Sequence, residues 1–362
     1  MNDATIELHN YRTIKLHNYQ TMQLQNYHTY NEIKSQTEAW AQALEVVRAS
    51  DTPKAGGYDR VIFTGCGSTY YLSLAAAALY TELTGRTAQA VSGGELLLNP
   101  QAVVGRDSIS PYLLVAVSRS GTTTETLKAV EKFKSEKRGD VVVISNYNEA
   151  LSQMADFNFV MDKGQEQSVA QTRSFASMYV AAAALAAKMA GKDDLLEAMG
   201  KLPEIGNWVI SKYESYAKTI GENLDFDRFY FLGSGIRYGL ACEVNLKMKE
   251  MTLTHSEPFH FLEFRHGPMS MVGKSTVVCG LVSAANHQHE AKALEEMKAL
   301  GGTVSAVGEK EADVCFESNI PEEVRGVLYL PVLQLMSFYR SLAKGLNPDR
   351  PNNLTAVVKL DL

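Results

Sequence analysis

Two α/β domains, each a doubly wound parallel sheet and the second an internal duplicate of the first, are what this 362-residue chain predicts. Three observations carry that expectation. Short apolar runs alternate with amphipathic or alanine-rich segments of helical length, the pattern of βαβ units whose sheet is covered on both faces. FLGSGIRYGLACEVNLKMKEM from Phe231 lies on FTGCGSTYYLSLAAAALYTEL from Phe63 without a gap, glycines on glycines and Glu250 on Glu82, at an offset of 168. The length itself, at about 150 residues per domain, suits two domains.

Residues 1–31 open with three copies of one pattern, LHNYRTI from Leu8, LHNYQTM from Leu16 and LQNYHTY from Leu24. They are polar and aromatic and too few to stack as a solenoid, so they read as a mobile arm. Whether the arm docks or self-associates or is a dispensable duplicated leader stays open, and His9, His17 and His28 read as solvated. EIKSQTEAWAQALEVV from Glu32 has helical spacing, with Ser35 placed to cap it. The first domain, 32–198, then runs strand, glycine turn, helix from Tyr58, repeats the arrangement in LLVAVSRSGTTTETLKAVEKF from Leu113, and adds a strand in GDVVVISN from Gly139. A polar run between Gly191 and Gly206 carries the join within a helix-loop connection. The second domain, 199–362, restates the order from Phe231, with CGLVSAANHQHEAKALEEM from Cys279 matching the segment at Leu113 and VSAVGE from Val304 supplying the third strand.

Composition narrows the function. With 45% hydrophobic and 21% charged residues the chain is an ordinary globular protein. Its 35 basic and 41 acidic side chains give a net charge of −6, which offers no footprint for nucleic acid or an anionic membrane. Cys66, Cys242, Cys279 and Cys315 have neither disulfide nor metal spacing, which fits a reducing cytoplasm and no metal. The most apolar stretch, Tyr179 to Ala187, is too short to cross a bilayer, and the N-terminus lacks a signal pattern.

Three segments carry candidate chemistry. SRSGTTTET, Ser118 to Thr126, follows a buried-looking strand and opens a helix, so its N–H groups and dipole favour an anion. One or two hydroxyls suffice for an N-cap; Ser118, Ser120, Thr122, Thr123 and Thr124 exceed that and point to phosphate. GCGST, Gly65 to Thr69, lets backbone approach a ligand closely with Ser68 and Thr69 beside it, although Tyr70 replaces the third glycine of a dinucleotide fingerprint. A plain tight turn reads equally well there. In LKMKEMTLTHSEPFHFLEFRHGP, Lys247 and Glu250 share a helix face, and His255 and His266 follow in a segment that reads as irregular. Such groups beside a phosphate suit proton transfer next to a carbonyl; a solvated ion pair and a turn histidine are the alternative.

The paired glycine and SxSGxTxxT turns, the duplication and KxKExxxxHxEx…ExRHGP resemble the tandem SIS-domain sugar isomerases, in particular the isomerase half of glutamine:fructose-6-phosphate amidotransferase and the fructosamine-6-phosphate deglycases, over about residues 35–362. The resemblance implies a flavodoxin-like fold and a sugar 6-phosphate held by Ser118, Ser120 and Thr123 with Thr69, Arg119 standing where the amidotransferases carry glutamine. It places Val169 and Gln171, in SVAQTRSF, against the sugar. Glu250 matches the acid/base carboxylate, Lys247 an active-site lysine, and His266 the ring-opening histidine, which in relatives arrives from a neighbouring subunit, implying a homodimer. Two departures stand out. No glutaminase segment is expected and residue 2 is Asn, while Ala356 occupies the position of the amidotransferases' C-terminal lysine, so no Schiff base forms there.

The expected reaction is deglycation of a 6-phosphorylated ketosamine, needing no cofactor, with Glu250 made basic by burial among Phe259, Phe261 and Phe264. An aminosugar-phosphate deaminase/isomerase is the enzyme alternative, and a non-catalytic sugar-phosphate sensor the alternative of another class.

Overall fold

A computed structural model describes residues 24–105 and 111–361. The first two copies of the N-terminal repeat lie outside the described residues. The third is folded: helix α1 spans His28–Ala49 and so takes in residues 28–31, and Ser35 sits inside the helix rather than at its cap. The cap comes from far away in sequence. Asp349 accepts from the N–H groups of His28 (3.0 Å) and Thr29 (2.8 Å), a carboxylate on a helix N-terminus. Leu24 and Tyr27 pack on the core, a tertiary contact that polar sequence alone did not reveal. His28 is exposed, as a solvated histidine should be.

The first repeat runs β1 (Arg60–Gly65), α2 (Ser68–Thr84), β2 (Ala88–Ser92), α3 (Gly93–Leu98), α4 (Pro100–Val104), β3 (Tyr112–Ser118), α5 (Thr124–Ser135), β4 (Gly139–Ser145), β5 (Phe157–Val160) and α6 (Arg173–Met189). All pairings are parallel in the order β2-β1-β3-β4-β5, with Ile62 opposite Leu114 and Val115 opposite Val142. Buried on both faces, β3 is YLLVAVS without a solvent-facing position.

After α7 (Asp193–Met199) and α8 (Leu202–Glu222) the order returns: β6 (Arg228–Leu232), α9 (Ile236–Thr252), β7 (His255–Phe259), β8 (Thr276–Leu281), α10 (His287–Ala299), β9 (Thr303–Gly308), β10 (Val314–Cys315) and α11 (Leu330–Ala343). Its sheet reads β10-β9-β8-β6-β7, the same topology. Helices α2 and α9 begin and end 168 residues apart, and the glycines before them share one backbone geometry, φ +57° at Gly67 and at Gly235. The duplication is thus one of structure as well as sequence. Two expectations change. HSEPF is a strand, not irregular chain: β7 pairs only with β6, and a proline is tolerated on such an edge. Gly206 lies inside α8, where a Cβ would come 2.3 Å from the Trp40 ring, so it serves close helix packing rather than a connection.

Helices α1, α2, α6, α8, α9 and α11 form one apolar centre between the sheets. Ser174 to Ala187 of α6 are all buried, so the most apolar stretch of the chain is a core helix. No described helix is long and apolar enough to cross a membrane. Two smaller outer cores cover the far faces, one under α5 and one under α10.

Candidate active site

Strands β1 and β3 are neighbours, yet the helices that follow them leave to opposite faces: α2 joins the central core and α5 the outer one. A crevice opens where strand order reverses in this way, at the C-terminal ends of the strands. Both candidate turns stand there, and the Cys66 sulfur lies 3.5 Å from the Thr126 hydroxyl across the gap.

The hydroxyls divide by what they already do. Thr69 is committed within its turn: its Oγ1 accepts from the Cys66 N–H (2.8 Å) and donates to the Cys66 carbonyl (3.0 Å). Gly65 must lack a side chain because a Cβ would fall 2.5 Å from that same oxygen. Ser118 Oγ accepts from the Gly121 N–H (3.2 Å), and Ser120 Oγ accepts from the Thr122 N–H and hydroxyl (both 3.2 Å). A hydroxyl that accepts still has its O–H to give. Thr123 is the N-cap of α5 without using its side chain as a cap. Gly121, at φ +65°, makes the turn that lets these groups converge.

Opposite stands α9. Its Lys247, wholly buried, donates to Glu250 Oε2 (2.5 Å) and to Ser68 Oγ (3.2 Å), and lies 3.4 Å from Glu243 Oε1. A lysine and carboxylate of the second repeat are thereby fixed on the glycine turn of the first. Glu243 was not apparent as a site residue, although Glu243, Lys247 and Glu250 recur at helical spacing on one face. Burial, aided by Glu250 and opposed by Lys247, pushes the Glu243 carboxyl up to about 8. Burial alone would depress Lys247, but Glu243 and Glu250 outweigh it and hold the lysine above its ordinary value; Glu166 adds to them.

Arg119 is already engaged within the chain. Its guanidinium donates to the carbonyls of Val169 (2.9 Å), Ser168 (3.4 Å) and Ala356 (2.6 Å), and lies 3.6 Å from Glu166. Glu166 in turn accepts from the Thr172 (2.7 Å) and Ser174 (3.1 Å) N–H groups at the start of α6. One arginine from the hydroxyl turn therefore ties together the 168–169 loop and the tail. Glu32 of α1 holds the same loop, accepting from the Gln167 N–H (2.6 Å) and the Ser168 hydroxyl. Glu32 and Glu166 carried no sequence signal, since their partners are set by tertiary contact. In this loop the Val169 N–H donates to the Asp349 carbonyl (3.0 Å), and Gln171 has a buried Oε1 without a partner.

His266 is joined to this group by no hydrogen bond or ion pair among the described residues. It is exposed, after a short 3₁₀ turn, with its N–H on the Glu263 carbonyl (2.9 Å). Phe261 and Phe264 are also elsewhere than expected: with Tyr230 and Phe259 they form the outer core of the second repeat, Tyr230 and Phe264 4.8 Å apart. What lies against Glu250 is Lys247, not those rings. Among the described residues no cluster of His, Cys, Asp and Glu is arranged to hold a metal.

The SIS domain model matches residues 58–188 and 225–343, one match on each repeat. The chain belongs to the SIS domain family. It is 26% identical over 339 residues to the glutamine–fructose-6-phosphate aminotransferase (isomerizing) of Methanothermobacter thermautotrophicus, covering 91% of this chain and 55% of that protein. The Sulfolobus acidocaldarius enzyme of the same name is 32% identical over 256 residues, 69% of this chain and 42% of its own length. The chain thus spans about half the length of the curated relatives it matches. Among solved structures, glucosamine-6-phosphate deaminase from Thermotoga maritima superposes with a TM-score of 0.77 at 27% identity, covering 92% of this chain and 99% of that one. Tagatose-6-phosphate ketose/aldose isomerase from Escherichia coli, at 22% identity and a TM-score of 0.79 over 91% and 97% of the chains, shares the fold.

Proposed function

We propose that this SIS protein is a sugar-phosphate enzyme of the isomerase type, acting as a deglycase on a 6-phosphorylated ketosamine. The observation that carries the reading is the Lys247–Glu250 pair of one repeat seated on Ser68 of the other, beside a hydroxyl turn suited to phosphate. The substrate phosphate would take the O–H groups of Ser118 and Ser120, the hydroxyl of Thr123 and the N–H groups at the start of α5. Ser68 borders the phosphate, and Thr69 shapes its turn. Gln171 Oε1, buried and unpartnered, suits a sugar hydroxyl. In the open-chain ketosamine the C2 carbonyl acidifies C1. Glu250 takes the C1 proton and returns it to C2, while the former carbonyl oxygen gains a proton and the amine N–H gives one up, so that C2 becomes an alcohol and the double bond C1=N; water then adds to C1 and the amine leaves with a proton, giving glucose 6-phosphate. Lys247, held cationic, orients Glu250 and faces the oxygen that gains charge. His266, exposed in its own chain, supplies the ring-opening proton in a neighbouring copy, so the working unit is a homodimer with shared sites. On this reading the protein works in the cytoplasm, where Cys66, Cys242, Cys279 and Cys315 remain free thiols.

The test is turnover of fructosyl-amine 6-phosphates by the parent and Glu250→Gln. Loss of about 10²–10⁴-fold in kcat is expected for removal of a general base; equal turnover excludes Glu250 from that role. A second reading, aminosugar-6-phosphate deaminase/isomerase, has the full-length match to the Thermotoga maritima deaminase on its side. Ammonia released from glucosamine or galactosamine 6-phosphate, with no turnover of the ketosamines, would replace the first reading by the second.

A further inference from the structure

The duplication raises the question of what occupies the second repeat's own crevice, between β6 and β8. Its turn after β8, from Ser283 to Asn286, copies the first: Ser283 Oγ accepts from the Asn286 N–H (2.9 Å) as Ser118 Oγ does from that of Gly121 (3.2 Å), and α10 follows as α5 does. The turn holds an anion, and it belongs to the chain itself. Glu322 places Oε1 3.2 Å and Oε2 3.1 Å from the Ala284 N–H nitrogen, and Oε2 3.2 Å from that of Ala285. Arg237, which stands at the position of Thr69 in the duplicate, donates from Nη1 to Oε1 at 2.6 Å, and Arg325 Nη2 lies 4.0 Å from Oε2.

The surroundings are those of an anion site rather than of a surface ion pair. Arg237 and Arg325 are 8% and 5% exposed, and Arg237 Nε and Arg325 Nε and Nη2 are buried donors without a hydrogen-bond acceptor. Glu290 lies 4.0 Å from Arg237 but directs its other oxygen to the Ser283 N–H (2.6 Å). Glu309 Oε2 stands 3.7 Å from Arg325 Nε, so with Glu290 and Glu322 three carboxylates surround the two guanidinium groups, yet the three nitrogens named above still have no acceptor at hydrogen-bond geometry. A phosphate group, with more acceptor oxygens and greater charge, would satisfy more of them.

We propose that the second repeat retains a phosphate-type anion cradle, formed by the Ala284 and Ala285 N–H groups with Arg237 and Arg325, and that Glu322 fills it as a built-in substitute for the ligand. The chain consequently binds a phosphate in one repeat only, and the same carboxylate fastens the 309–325 connection to the second sheet. This holds whichever reaction the first crevice performs.

The measurement is the number of inorganic phosphate equivalents bound by the full chain, by titration calorimetry, in the parent and in Glu322→Ala. The variant is expected to bind one equivalent more than the parent, and Glu322→Ala with Arg237→Leu to lose that extra equivalent. Because the readout is a difference, it stands even if the first crevice binds no phosphate and the proposed reaction fails. Equal stoichiometry in parent and Glu322→Ala overturns the proposal, and so does an extra equivalent that survives Arg237→Leu. Should Glu322→Ala be recovered unfolded from phosphate-free buffer, refolding is titrated with phosphate: saturable recovery supports the cradle, and no recovery overturns it.

Discussion

At the scale of single residues, the dominant fact is one buried lysine between two carboxylates, Glu243 fully buried and Glu250 partly so. Both carboxylates cannot ionise there at the usual expense, and Glu243, the more deeply buried, keeps its proton to about pH 8 against an ordinary value of 4.5. The folded chain then binds one more proton than the unfolded chain between those values, so this contribution to stability is complete below about pH 4.5, declines as pH rises, and is gone above 8. Glu243→Gln removes it. Denaturant unfolding at pH 5, 6.5 and 8 should show the parent losing on the order of a few kcal/mol more than the variant over that span; parallel curves would mean that Glu243 is ionised when folded. The spacing of Lys247 and Glu250 made that pair legible, because a helix face repeats in sequence, whereas Glu243, one turn earlier on the same face, was not read as part of it. Arg119 shows the opposite case. Its position in the hydroxyl turn was plain, but its work, gathering carbonyls from residues 168, 169 and 356, depends on loops that only the folded chain brings near.

At the scale of elements, the crossing of α2 and α9 sets the distance between the two halves of the candidate site. The helices touch where Gly239 has no side chain: a Cβ there would lie 2.5 Å from the Ala75 N and the Tyr71 carbonyl oxygen. Neither is a flexible tip that can move aside. Gly239→Val should therefore cost about 1–3 kcal/mol in stability by overpacking, and by spreading the helices draw Lys247 from Ser68. We expect kcat/KM for the ketosamine to fall while the protein stays folded below its lowered melting temperature. An unchanged melting temperature would show that the crossing adapts freely. The strands that sequence revealed, β1, β3, β4 and their counterparts, are the apolar central ones; β2, β5, β7 and β10 are short or lie at edges, where less burial leaves a weaker pattern. Edge position likewise explains how HSEPF, with its proline, is a strand.

At the scale of the whole molecule, two copies of one α/β unit have come to do different work. Their topology is identical, yet one crevice receives Lys247 and Glu250 from its neighbour while the other is closed by Glu322. The gapless match at offset 168 made the duplication visible; the division of labour was not, because Glu322 falls in the connection after β10, outside the repeated segments. His266 extends the same logic beyond one chain. It is exposed in its chain, as a residue lent to a second copy would be. A shared site makes a specific prediction for mixtures of two inactive variants. In a symmetric dimer of one Glu250→Gln chain and one His266→Asn chain, one site has both lesions and the other has neither. Random pairing makes half the dimers mixed, so co-expression should restore about a quarter of parental activity. Where each chain instead uses its own histidine, both sites of the mixed dimer carry one lesion and the mixture stays as inactive as its components.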